Sequence, residues 1–143
     1  MNISRSILTA LAVLSCSLMA QEDLSPLEAK EKAAFAKAEG NDVKERETTV
    51  WAEKFWDDEL NKIYKSLTAG LKGKALESLK KSQRQWIVFR DAEFERLDSY
   101  QEGMSGSMWN NVFRYAKVRV TKTRTLELEK MLGLLENYSA DGN

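Results

Sequence analysis

The sequence predicts an all-α fold, an antiparallel bundle of three long helices preceded by a short peripheral helix. Three observations carry this. Pro26 is the only proline and the glycines are few and clustered, so long stretches contain no breaker. Within those stretches large apolar residues recur every three to five positions, the repeat of one helix face. No segment alternates with the two-residue period of a strand.

Residues 1–20 read as a secretory signal peptide. Arg5 supplies a short positive region, residues 7–14 are apolar, and small residues follow as far as Ala20. The apolar run falls far short of the ~20 residues that span a bilayer, so it is not a mature transmembrane anchor. Two cleavage readings compete. Cutting after Ala20 leaves a soluble chain starting at Gln21. Val13-Leu14-Ser15-Cys16 also resembles a lipoprotein box, in which Cys16 becomes the lipidated first residue. Either way the expected location is outside the cytoplasm, periplasmic or secreted. The membrane is touched only through a lipid on Cys16, if that residue is modified.

Residues 21–42 should form the short helix and a linker. Ser25 can cap, Pro26 suits the first helical position, and Glu28 stands at capping-box spacing. Leu27 and Phe35 are its only large apolar residues, which makes it peripheral, and Gly40 can end it. The main domain then covers residues 43–136. Its first long helix should run from about Val43 to Leu71, with Trp51, Phe55, Leu60, Ile63, Leu67 and Leu71 on one face. The second should run from about Lys74 to Gln101. Its seam holds Leu76, Leu79, Trp86, Leu97 and Tyr100, with Gln83, Arg90 and Glu93 at intervening seam positions. Residues 102–107 are a loop by composition. The third should run from about Met108 to Leu135, carrying Trp109, Val112, Phe113, Ala116, Val120, Leu128, Met131 and Leu135. Residues 137–143 read as a disordered polar tail.

Composition restricts the chemistry. There is no histidine, so the commonest general base and metal ligand are missing. Cys16 is the only cysteine, which precludes an intrachain disulfide. A domain exported without disulfides depends on its apolar core. Ser78-Leu79-Lys80-Lys81 matches an S-x-x-K pattern, but the companion elements of acyl-transfer enzymes are absent and both residues fall on a polar helix face. The acids, as in Asp57-Asp58-Glu59 and Asp91, Glu93 and Glu95, lie on helix faces rather than around a cleft that could hold a sugar. No catalytic residue, metal site or cofactor is therefore expected. The 22 basic and 22 acidic residues balance, and removing residues 1–20 leaves 21 against 22. A near-neutral domain is a poor nucleic-acid binder.

Two charge patterns stand out. Asp91, Glu95, Asp98 and Glu102 form an acidic stripe, and Arg114, Lys117 and Arg124, with Arg119 and Lys122 beside them, form a basic one. Folding the helices back across residues 102–107 sets the stripes against each other, for interhelical pairing or for a charged partner. Arg90 lies one turn from both Trp86 and Phe94, so its stem should run along apolar surface. Its guanidinium then needs an acid, either Glu127 or an acid of the first long helix such as Glu59.

Several phrases together resemble the LprI-type lysozyme-inhibitor domain. Asp58-Glu59-Leu60-Asn61-Lys62-Ile63-Tyr64-Lys65 is similar to its D-x-E-L-N-x-x-Y opening. The run from Gln83 to Glu93, QRQWIVFRDAE, is similar to its Q-R-x-W-I-x-[FY]-R-D-A-E signature and includes Trp86, Arg90, Asp91 and Glu93. Gly106-Ser107 resembles its G-[ST] loop, and residues 121–128, TKTRTLEL, resemble its T-x-x-R-T-x-E-L end with Arg124 and Glu127. The resemblance covers roughly Trp51 to Leu132 and implies a small exported helical domain that binds protein, with lysozyme as the partner. Members commonly carry cysteines near the positions of Trp51, Phe94 and Val118, where apolar packing is expected to replace a crosslink. The candidate contact surface is Asp98, Glu102, Met104, Ser105, Gly106, Ser107 and Trp109, which also reads as a tight interhelical turn. The alternative is an envelope module that binds another protein or an anionic cell-wall polymer through the basic run Arg114 to Arg124.

Overall fold

A computed structural model describes residues 24–140. The signal segment, Cys16 and residues 141–143 lie outside that range. Four helices account for the regular structure described: α1 Pro26–Ala38, α2 Asp42–Gly70, α3 Gly73–Glu102 and α4 Ser107–Ala140. The chain divides into two units, residues 1–33 and 34–143.

In the first unit the start of α1 is set by a reciprocal capping box. The Glu28 amide donates to the Ser25 hydroxyl at 3.3 Å, and the Ser25 amide donates to the Glu28 carboxylate at 3.3 Å. Each bond satisfies a donor that a helix start leaves unpaired.

In the second unit, Asn41 caps α2 by accepting from the Lys44 amide at 3.0 Å, and the Glu45 carboxylate accepts from the Gly40 amide at 3.1 Å. Gly40 has φ 77°, a left-handed conformation that a side chain would disfavour. α2 buries Thr49, Ala52, Phe55, Trp56, Leu60, Ile63 and Leu67. The predicted face is thus largely correct, but it omitted Trp56, which is fully buried and is the largest such side chain.

α4 is the organising helix. It packs closely along α2 and also along α3, whereas α2 and α3 scarcely touch although they are consecutive. The three long helices therefore gather about α4 rather than each packing on both others. The buried residues of α4 are Phe113, Val118, Thr121, Thr125 and Leu128. Val112 and Met131, expected on the inner face, are about half exposed. The inner face carries two threonines in their place, small enough to let α2 approach closely. α3 buries only Gln83 and Leu97, and Tyr100, expected on its seam, is exposed. α4 also runs on to Ala140, past the end expected near Leu135 and into the stretch read as a tail.

The positions discussed for crosslinks are occupied by packed apolar groups. Trp51 stacks on Phe55 with centroids 4.8 Å apart, Val118 is buried, and Phe94 lies beneath the Lys117 ammonium. Phe35 of α1 meets Tyr115 of α4 edge-on at 5.3 Å.

Candidate functional site

The turn between α3 and α4 holds the residues singled out for partner contact. Glu102 ends α3, and residues 103–106 reverse the chain. The Met104 amide donates to the Gln101 carbonyl at 2.9 Å and the Trp109 amide to the Gly106 carbonyl at 3.2 Å. Gly106 has φ 113°, which only glycine adopts readily. Ser105 and Ser107 are exposed, and Ser107 is the first residue of α4. Trp109 is partly covered and tilts against Phe113 at 6.3 Å, so it anchors the turn more than it projects from it.

The exposed apolar groups here include three that the sequence reading did not single out for contact. Met104 is exposed as expected, and Met108, Val112 and Tyr100 are exposed as well. Met108 and Val112 stand one helical turn apart on the same side of α4. A run of exposed apolar groups with polar neighbours is the usual composition of a contact surface. The signal was present as spacing, but Val112 and Tyr100 read as core.

The charges are less available than the stripes suggested. Asp98 takes the Lys117 ammonium at 2.5 Å, and Arg114 reaches across to Glu53 of α2 at 2.6 Å. Gln101 donates to Asn110 at 3.0 Å between them. These groups line a polar recess of about 340 Å³. Of the acidic stripe only Asp98 pairs across to α4, since Asp91 is taken by its neighbour Arg90.

Arg90 does not clamp two helices through an acid, contrary to expectation. Its Nε and Nη2 both donate to Asp91 Oδ1, at 2.9 and 2.7 Å. The guanidinium lies between two rings of its own helix, 5.5 Å from Trp86 and 5.8 Å from Phe94. The reason is the separation of α2 from α3. Arg90 lines a groove of about 360 Å³ whose far wall carries Glu53 and Asp57 of α2, and Glu127 is engaged by Arg124 instead.

Arg124 is the residue that locks helices. From α4 its Nε donates to Gln83 Oε1 at 3.1 Å and its Nη2 to Ser82 Oγ at 3.0 Å, both on α3, while Nη1 reaches Glu127 at 3.2 Å. Glu93 is similarly local, taking the Arg96 guanidinium at 2.6 Å. Of the other signature residues, Leu60 is buried and Tyr64 half-buried on α2. Trp86, Phe89, Arg124 and Glu127 share a groove of about 390 Å³ between α3 and α4.

The displaced pKa values follow surface pairs along single helices. The Arg96 guanidinium, donating to the Glu93 carboxylate, holds that acid below the usual range and is itself raised. Asp58 raises Lys54 in the same way one turn away on α2. No buried side-chain polar atom among the described residues lacks a partner. No group of three or more acidic, histidine or cysteine side chains among them could hold a metal ion. Such an arrangement can present a surface to a partner. No described helix is long and apolar enough to cross a membrane.

The fold and this turn define a small helical domain whose exposed chemistry suits contact with another macromolecule. The family model "Lysozyme inhibitor LprI" matches residues 33–128, and the chain belongs to that family. It is also similar to an uncharacterized protein of Rhizobium meliloti, 34% identical over 94 residues, covering 57% of this chain and 66% of that protein. The chain thus spans a little under two thirds of the length of that curated relative. No solved structure matches it.

Proposed function

We propose that the protein is an exported inhibitor of lysozyme-type muramidases that acts by binding and occluding the substrate cleft. Membership in the lysozyme-inhibitor family carries this reading. The leader at residues 1–20 supports export, and a lipid at Cys16 would hold the domain in the envelope. The end formed by Tyr100, Met104, Met108 and Val112 is the contact surface, with Ser105, Gly106 and Ser107 at the tip and Trp109 behind it. The short exposed turn at residues 103–106 is the part that would enter a cleft shaped for a glycan. Animal lysozymes are strongly basic and work through two carboxylates. Glu102, which has no ion pair of its own among the described residues, adds attraction for such a partner.

The anionic-polymer alternative is the less favoured reading, because three cations of the basic run already have acidic partners. Arg114, Lys117 and Arg124 of the basic run are engaged by Glu53, Asp98 and Glu127. The test is a cell-wall lysis assay with purified protein titrated against lysozyme. Inhibition that weakens in the Met104→Asp, Met108→Asp double variant supports the reading. No inhibition at micromolar excess of folded protein overturns it.

A further inference from the structure

α3 turns toward α4 the face that carries Gln83 and Leu97, and the opposite face meets solvent along its whole length. Lys74, Lys81, Val88, Glu95 and Glu102 follow one another down that outer face at seven-residue intervals. All five are exposed, and Val88 is 65% exposed. At 1.5 Å per residue the row is about 42 Å long. A strict seven-residue spacing drifts by about 20° per heptad, the slow left-handed winding of a helix pair. None of the four charged side chains in the row has a hydrogen bond or ion pair among the described residues, although Glu77, Glu93 and Arg96 nearby all find partners.

The row is antisymmetric about Val88. Lys81 and Glu95 stand at equal distances on either side of it, and so do Lys74 and Glu102. We propose that this face of α3 is the interface of a homodimer in which two copies of α3 lie antiparallel, with the two-fold axis at Val88. Each Lys81 then faces Glu95 of the second copy and each Lys74 faces its Glu102, so symmetry forms four ion pairs from two. Arg84 comes beside Asp91 of the second copy. One heptad further out the same register sets Glu77 beside Asp98 of the second copy, two carboxylates already engaged within their own copy by Lys80 and Lys117.

The centre of the contact is apolar. Ile87 is 39% exposed and Phe89 55% exposed, one on each flank of Val88. A two-fold axis perpendicular to both helices sets Val88 against its own copy and brings like flanks together, Ile87 edging one side and Phe89, which also lines the groove toward α4, the other. An apolar centre within a charged rim is the composition of an isologous interface. The charge order selects the occupant. A polyanion would be drawn to the Lys74–Arg84 half and repelled by the Asp91–Glu102 half, and a basic protein the reverse. A second copy run in the opposite direction satisfies both halves.

Sedimentation velocity of the purified protein tests this. The expected result is a dimer at low salt that dissociates as salt rises. Lys81→Glu and Glu95→Lys should each weaken dimerisation by about tenfold or more, because each turns two attractions into two repulsions. The combined Lys81→Glu, Glu95→Lys variant should restore it, since the pairs re-form with signs exchanged. Val88→Asp should give a monomer of unchanged helical circular dichroism, because the site is on the surface. A monomer at every concentration up to millimolar in low salt overturns the proposal. So does a dimer indifferent to Val88→Asp, or single charge variants that the double variant does not rescue.

Discussion

The Thr125 hydroxyl donates to the main-chain carbonyl of Trp56, 3.3 Å away across the contact of α4 with α2, and shares that donation with the Thr121 carbonyl at 2.9 Å. Both Thr125 and Trp56 are fully buried. The hydroxyl is thus satisfied within its own helix while also tying it to the next. Thr125→Val keeps the shape and removes the donor, and should cost about 0.5–1.5 kcal/mol. Thr125→Leu forces extra methylenes into the closest part of the contact and should cost more, about 1–3 kcal/mol. Urea unfolding of the three proteins gives the order.

Trp56 fills the space beneath that contact. Trp56→Ala should cost about 3–5 kcal/mol, the range for deleting a large buried aromatic. A domain of ordinary stability holds only about 5–15 kcal/mol in all, so a thermal melt should show this variant strongly destabilised. Tyr100→Ala, at an exposed site where the ring meets the Arg96 guanidinium at 5.2 Å, should cost no more than about 1 kcal/mol.

Arg90 makes its contacts with Trp86, Phe94 and Asp91, all on α3. Arg90→Ala should cost about 1–2 kcal/mol, from two cation–π contacts of about 0.5–1 kcal/mol each and the packing of the stem. Asp91→Ala should cost no more than about 1 kcal/mol, because its carboxylate is exposed. A double-mutant cycle of Arg90 with Glu59 or Glu127 should show no coupling, whereas the cycle of Arg124 with Gln83 should. Coupling of Arg90 to Glu127 would contradict the pairing described above.

These residues also show where sequence reading succeeds. The absence of breakers and the apolar spacing placed the long helices to within a residue or two at most ends, because those signals are local. The capping box at Ser25 and Glu28 was legible for the same reason. The inner face of α4 was not, because Thr121 and Thr125 count as polar until a close neighbouring helix gives them a reason to be buried. Trp56 was missed because it lies beside Phe55, off the expected stripe. The partner of Arg90 depended on how far α2 stands from α3, a tertiary quantity that no spacing in the chain encodes. At the turn, Met104 was recognised as a contact candidate, while Tyr100 and Val112 were assigned to a core that does not reach them.

Acid sensitivity should depend in part on Glu93. Its carboxyl titrates below the ordinary value of 4.5 because Arg96 donates to the charged form. A group whose folded value is lowered stabilises the fold above its unfolded value, and loses that contribution as pH falls through the lower one. The loss therefore begins below about pH 4.5 and not near neutrality. Glu93→Gln should flatten this part of the acid unfolding curve. Arg96→Ala should move the Glu93 carbon resonance titration back toward 4.5. Lys54 has the opposite sign. Raised by Asp58 from 10.5, it stabilises below that value and loses its effect only in strong base.

The two glycines of the α3–α4 turn should respond differently to the same change. Gly106 adopts φ 113°, where a Cβ is strained even with open space around it. Gly103 sits at φ −79°, and an added Cβ would meet the Tyr100 carbonyl at an ordinary 3.6 Å. Gly106→Ala should therefore cost about 1–2 kcal/mol or force the turn to reshape. Gly103→Ala should be close to neutral. If the turn is the inhibitory surface, Gly106→Ala should also weaken lysozyme inhibition at a temperature where circular dichroism shows the helices intact, while Gly103→Ala does not. Equal inhibition by both variants would separate the turn from the activity and move the search for the contact surface to another face.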